Sequence, residues 1–130
     1  MRLLIHREGD DAPLPSGANV REGDLLQLSY AGTSTHGVIA SVDGSGVATL
    51  HFPDAEDGNT RLDAGLVRLD HAYELDDAPD FERFFLISAD VPLDPEEILD
   101  QVRLVGRTDS LELPAEWSQV SVLLAKPSAR

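Results

Sequence analysis

The sequence predicts a mainly β fold, an immunoglobulin-like β-sandwich of about seven short strands with one α-helix at about residues 94–105. Three observations support this fold class. Short apolar runs recur between clusters of turn residues, one segment has helical apolar spacing, and 130 residues suit one compact domain with one hydrophobic core. We therefore treat residues 1–130 as a single β-sandwich domain.

The first two strands are predicted at residues 3–6 and 25–30. The polar segment between them contains several Pro and Gly residues, which favour a loop. In the second strand Leu26, Leu28 and Tyr30 alternate with polar residues, as expected for a strand that buries one face.

The clearest hairpin joins residues 37–42 to residues 47–52. The loop between them, Asp43-Gly44-Ser45-Gly46, contains glycines that tolerate positive φ angles. If alternation continues along the second strand, His51 points to solvent together with Thr49. We therefore expect His51 to be a strand-surface residue rather than a catalytic base.

Three further strands are predicted at residues 62–69, 83–89 and 120–125. The nearly continuous apolar run at 84–87 is typical of a strand buried on both faces, so we expect it in the middle of a sheet. The helix is predicted to begin after Asp94, which precedes a proline and two glutamates in the order of an N-cap and a first turn. It would serve as a crossover or cover an edge of the sandwich.

Charge and composition exclude several classes of function. Twenty-four acidic residues against ten lysines and arginines give a formal net charge of -14, which repels phosphate backbones and anionic membranes. We therefore expect no nucleic-acid partner and no membrane contact by this chain. The opening apolar run is too short for a signal peptide or a membrane span, so the chain is expected to be soluble as written. The absence of Cys removes disulfides and thiolate chemistry and leaves the compartment undetermined.

The sequence has no evident catalytic constellation, so we expect neither enzymatic activity nor a cofactor. Its four histidines lack a metal-binding spacing. Residues 32–36 resemble the Gly-x-Ser-x-Gly elbow of hydrolases, but His36 stands in place of the second glycine. A small hydrolase that uses Ser34 or a carboxylate pair is therefore the last of three hypotheses.

The most distinctive segment is an acidic turn around Pro79 that leads into the buried strand. Its acidic residues are our predicted contacts to a partner or ligand. They are Glu74, Asp76, Asp77, Asp80 and Glu82.

A second acidic loop occupies residues 54–59. Asp54, Glu56 and Asp57 are weak candidates for calcium ligands, because Ca²⁺ prefers carboxylate oxygens. The loop does not fit an EF-hand, since glycine stands at positions where that loop needs ligands. For both acidic segments a solvated turn is the alternative.

Several turns and strand ends resemble a bacterial family known as a domain of unknown function, and the resemblance spans most of the chain. The motifs are Gly23-Asp24, Tyr30, Asp43-Gly44, Leu50-His51-Phe52-Pro53, Leu62-Asp63-Ala64-Gly65 and Glu82-Arg83-Phe84-Phe85-Leu86. The resemblance implies an accessory sensing domain, of the kind appended to anti-sigma-factor-like proteins, protein kinases and caspase-like proteases, and it supplies no catalytic residues. Because the zinc-binding segment and transmembrane helix of a full-length member are missing, it also implies an isolated or excised domain, such as the extracytoplasmic part of a membrane-anchored regulator.

The leading hypothesis is a noncatalytic regulatory or sensing module that binds a protein partner or a ligand through the acidic segment 74–82. The alternative is a β domain that binds a divalent cation such as calcium. Addition of a peptide strand to an exposed sheet edge is a further mode of binding that needs no sequence motif.

Overall fold

The computed structural model describes residues 1–55, 57–105 and 111–127, which form eight β-strands and one α-helix. In chain order these are β1 (Arg2–Arg7), β2 (Leu25–Gly32), β3 (His36–Asp43), β4 (Ala48–Phe52), β5 (Gly65–Arg68), β6 (Tyr73–Glu74), β7 (Asp80–Ala89), α1 (Pro95–Val105) and β8 (Ser118–Lys126).

The strands form two antiparallel sheets, which confirms the prediction of a mainly β, two-sheet fold. The first sheet has the order β1-β2-β5, and β6 also pairs with β2. β5 and β6 lie end to end along the same edge of β2, with residues 69–72 between them. The second sheet has the order β4-β3-β7-β8.

The second sheet is buried on both faces. Along β7, Phe84 and Leu86 enter the core between the two sheets, whereas Phe85 and Ile87 enter a second core on the opposite face. β7 lies between β3 and β8, so the prediction of a central strand at 84–87 is confirmed. The helix α1 packs against β3 and β4 and covers this second face, not a sheet edge.

The start of α1 follows the sequence signal. Asp94 Oδ1 accepts the backbone N–H groups of Glu96 at 3.1 Å and Glu97 at 3.4 Å, which makes Asp94 the predicted N-cap. Ile98 and Leu99 are buried on the side of the helix that faces the sheet. Within the described ranges, no helix has the length and apolar character needed to cross a membrane.

β4 departs from the predicted alternation. Neighbouring Ile39 and Ala40 pair with Phe52 and Leu50, which leaves His51 as an extra residue in a β-bulge. The prediction that His51 points to solvent is wrong, because its ring packs edge-on against the aromatic ring of β6, with 4.4 Å between centroids.

The β3–β4 hairpin forms where predicted, and its tip is tied to the β6–β7 connection. The N–H of Gly44 donates to the carbonyl oxygen of Phe81 at 3.0 Å. A Cβ at Gly44 would overlap the backbone carbonyl of Pro79, so only a glycine fits this approach without movement. The two loops are therefore packed backbone to backbone.

We expect Gly44→Ala to lower the free energy of unfolding by about 1–3 kcal/mol, the usual cost of extra atoms in a packed site. Urea denaturation measures the change. The control is Ser45→Ala at the exposed neighbouring position in the same turn. Equal stability of the two variants would show that the loops are not in contact.

Candidate functional site

Charged side chains enter the sandwich core at one end of the second sheet. Strand alternation directs them there: Glu82 lies two residues before the buried Phe84 on β7, and Lys126 lies two residues after the buried Leu124 on β8. On β3, Asp43 pairs directly with Glu82. Asp43, Glu82 and Lys126 are 4%, 0% and 7% exposed, respectively.

Asp76, in the β6–β7 connection, completes this group. Its Oδ1 accepts the N–H of Ala78 at 3.0 Å and lies 3.4 Å from Lys126 Nζ. The same Nζ lies 3.4 Å from Glu82 Oε1. One carboxylate oxygen from each of Asp43, Asp76 and Glu82 can be chosen so that all three lie within 4.8 Å of one another. We refer to Asp43, Asp76, Glu82 and Lys126 as the core charge cluster.

The carboxyl groups of this cluster differ in their surroundings. Burial raises the pKa of Glu82, whereas a hydrogen bond from Ser41 and the Lys126 ammonium oppose this effect, and the charge of Asp43 adds to it. The hydrogen bond from the Ala78 N–H lowers the pKa of Asp76, with a further contribution from Lys126. The ammonium of Lys126 is shared between the carboxylates of Asp76 and Glu82.

A partly buried hydrogen bond adjoins the cluster. Ser41 Oγ lies 2.8 Å from His51 Nε2, and the imidazole packs against Tyr73 and Phe84. Burial lowers the pKa of His51 to about 4, and burial followed by the charge of Glu82 raises the pKa of Tyr73 to about 12. Both side chains are therefore neutral at pH 7.

The Ser41–His51 pair has the two groups of an activated nucleophile, but not the access. A hydrolase nucleophile must meet its substrate, and Ser41 is 0% exposed. In this arrangement the pair is a hydrogen bond of the core. Ser34, the serine considered from the sequence, lies outside this pair.

A groove of about 580 Å³ opens at the surface beside the core charge cluster. We call it the acidic groove, because four carboxylates and two cations line it. Its charged residues are Arg21, Glu22, Asp76, Asp77, Asp80 and Lys126.

Asp80 has a strained backbone at the rim of this groove. Its φ angle is 77°, and the N–H of Phe81 donates to the carbonyl oxygen of Pro79 at 2.9 Å. A hydrogen bond between residues two positions apart, with a positive φ between them, defines a rare type of γ-turn. Strain of this kind is often found at functional sites.

The structure brings together four of the five predicted contact residues. Asp76, Asp77 and Asp80 line the acidic groove, and Glu82 lies behind it in the core. Glu74 is exposed on β6 and is not part of the groove lining.

Sequence reasoning missed Asp43 and Lys126. Asp43 lies two positions after the buried Ser41 on β3, and Lys126 lies two positions after the buried Leu124 on β8. Strand alternation could therefore have predicted that both side chains point inward.

The loop at 54–59 is arranged differently from the core charge cluster. Asp54 Oδ1 lies 3.3 Å from His71 Nε2, and both side chains are exposed. Asp57 is exposed, and Glu56 lies outside the described residues. In the described part of the chain, Asp54 and Asp57 do not join a group of three possible metal ligands. A calcium site in this loop stays a prediction.

Fold and site define a two-sheet β domain with a charge cluster in its core and an acidic groove at its surface. No family model, curated protein or solved structure matches the chain. The resemblance to a bacterial family of accessory domains therefore stays a prediction.

We expect Lys126→Met to lower the free energy of unfolding by about 3–5 kcal/mol, because it leaves a buried carboxylate without its charged partner. The side chains of Lys126 and Glu82 are only 5% and 1% exposed. Urea denaturation at pH 7 tests this, and Glu82→Gln combined with Lys126→Met should recover most of the loss.

The control for this experiment is Arg103→Met, which breaks an exposed ion pair with Asp100 on α1. Its expected effect is below about 1 kcal/mol. If the double variant is no more stable than Lys126→Met, the Glu82–Lys126 contact does not stabilise the core.

We expect His51 to make the protein less stable in mild acid. Its pKa is about 4 in the folded state and 6.5 in the unfolded state, so between these values the unfolded chain binds a proton that the folded chain does not. Stability present above pH 6.5 is therefore lost as the pH falls towards about 4, by at most about 3 kcal/mol.

Denaturation curves between pH 7 and 4 measure this loss, which His51→Gln should remove. His71→Gln, at an exposed position, is the control and should leave the pH dependence as it is in the wild type. A constant difference between wild type and His51→Gln across this range would contradict the burial of a neutral imidazole.

Proposed function

We propose that this domain is a noncatalytic regulatory or sensing module that binds a positively charged segment of a protein partner in the acidic groove. The observation that carries the proposal is the convergence of Glu22 with Asp76, Asp77 and Asp80 on one groove. Carboxylates grouped in this way suit a guanidinium or ammonium group, since charge-assisted hydrogen bonds are stronger than neutral ones.

The charge of the groove supports a cationic partner. Lys126 lines the groove, but its ammonium is shared by Asp76 and Glu82, so Arg21 is the remaining positive side chain of the lining. The formal charge of -14 adds a long-range field that attracts a basic partner.

We further infer that the sandwich is immunoglobulin-like. The orders β1-β2-β5 and β4-β3-β7-β8 correspond to A-B-E and C′-C-F-G in such domains. A parallel bridge from Asn19 to Ala125 links the segment before β2 to the last strand. Loops of these sandwiches gather at two ends, and the acidic groove belongs to the end that holds the β6–β7 connection.

Two observations favour binding over catalysis. Ser41 of the Ser41–His51 pair is fully buried and offers no accessible nucleophile, and the charged residues of the groove are four carboxylates and two cations. The regulatory part of the proposal rests on the sequence resemblance, which favours the sensor part of an anti-sigma-factor-like protein.

We expect Asp77→Asn combined with Asp80→Asn to weaken binding of a basic probe roughly tenfold, because two partly exposed charge contacts are lost. The probe is a fluorescent hexa-arginine peptide, measured by anisotropy at low and raised salt with a chelator present. Asn tolerates the positive φ angle at position 80, so the backbone can be kept.

The matched control is Asp10→Asn combined with Asp11→Asn, which removes the same charge from another exposed surface. An equal loss of peptide affinity in both double variants would mean that binding depends on the net charge of the protein and not on the groove. A protein captured from cells should likewise be lost with the groove variant and kept with the control.

A further inference from the structure

The core charge cluster has too little positive charge of its own. The ammonium of Lys126 contacts the carboxylates of Asp76 and Glu82, and an oxygen of Asp43 lies within 4.8 Å of an oxygen of each. When all are ionised, two negative charges are left, and the Asp76 side chain is 55% exposed while the other two carboxylates are buried. One divalent cation would balance both charges. Unbalanced charge is expensive to bury, and Asp43 and Glu82 are 4% and 0% exposed.

Glu82 provides the observation that points to a ligand. Its Oε2 is buried and has no hydrogen-bond partner among the described residues. Lys126 Nζ reaches Oε1 at 3.4 Å, which is longer than the roughly 2.7–2.9 Å of a charge-assisted hydrogen bond. A buried carboxylate oxygen without a donor can be satisfied by a cation.

The spacing of the carboxylates suits one cation. Two oxygens that bind the same Ca²⁺ at about 2.3–2.6 Å lie at most about 5 Å apart, and the three possible ligand atoms lie within 4.8 Å of one another. Asp43 Oδ1 accepts the N–H groups of Ser45 at 2.9 Å and Val47 at 3.1 Å, so this carboxylate is held in place by the hairpin turn.

We propose that Asp43, Asp76 and Glu82 bind one Ca²⁺ ion, which enters through the acidic groove, with Lys126 beside it as the remaining counter-charge. Ca²⁺ suits the site better than Mg²⁺, because its coordination is irregular and flexible. Few protein ligands and a nearby ammonium place the dissociation constant in the weak range, roughly 10⁻⁴ to 10⁻³ M. The site is distinct from the loop at 54–59, and the proposal does not rest on peptide binding.

Calorimetric titration of the full chain with CaCl₂ tests the site directly. The expected result is one saturable site, weakened at least about tenfold in Asp43→Asn and in Asp76→Asn. The amide oxygen that Asp43→Asn introduces can still accept the two turn N–H groups, and Asp76 is exposed, so both variants should fold. Asp54→Asn is the control and should bind like the wild type.

The melting temperature gives a second readout. It should rise with about 5 mM CaCl₂, return to its starting value with excess EGTA, and rise less in Asp76→Asn than in the wild type. MgCl₂ at the same concentration should give a smaller rise. No saturable site, or equal Ca²⁺ binding by wild type, Asp43→Asn and Asp76→Asn, would overturn the proposal, and an equal rise with MgCl₂ would overturn the assignment to calcium.

The experiments distinguish failure of the calcium site from failure of peptide binding in the acidic groove. Calcium binding is measured without peptide, and the peptide assay contains a chelator. Asp77→Asn combined with Asp80→Asn should keep a saturable Ca²⁺ site, since neither residue belongs to the ligand set.

Discussion

The contact between Glu82 and Lys126 is the constraint on which this end of the molecule depends. Glu82 shares its inward face of β7 with Phe84 and Leu86, and Lys126 shares its inward face of β8 with Leu124, so folding carries both charges into the core. Neither charge could stay there alone, because an isolated buried ion loses several kcal/mol of hydration. Lys126 reaches Asp76 as well, and thereby joins β8 to β7 and to the β6–β7 connection. The position of the acidic groove follows from this link.

The rest of the second sheet is held by apolar burial on two faces. β7 contributes alternate residues to the core between the sheets and to the core under α1. A strand with both faces covered has little freedom to shift its register, since a slip of one residue would exchange the two sets of side chains. The register therefore fixes Asp43 opposite Glu82 and Asp80 opposite Lys126. Apolar packing thus determines which charges meet.

The sequence could predict the helix and every strand in the described part of the chain except β6, because their signals, such as the apolar run at 84–87 and the Asp94 cap, act over a few residues. His51 could not be placed, because a bulge in β4 breaks the alternation on which its prediction rested. Of the four residues of the core charge cluster, only Asp76 and Glu82 were among the predicted contacts. Both were chosen for the acidic character of their segment, and the strand alternation that buries Glu82 was not used. Lys126 is 44 residues from Glu82, and only strand pairing brings them together. Non-local pairing leaves no fixed spacing in a sequence, so no motif reveals such a partner.

Asp76 connects the core to the surface, and this has a consequence for both proposals. It contacts Lys126 in the cluster and also lines the acidic groove. A cation in the cluster and a cation in the groove would therefore both bind the carboxylate of Asp76. A basic side chain in the groove and a Ca²⁺ ion in the cluster would therefore repel each other and compete for Asp76. Linkage requires that each weakens the affinity for the other by the same factor. In a domain that binds both, the calcium level would set the affinity for the protein partner, and a binding module would become a sensor without any change of fold.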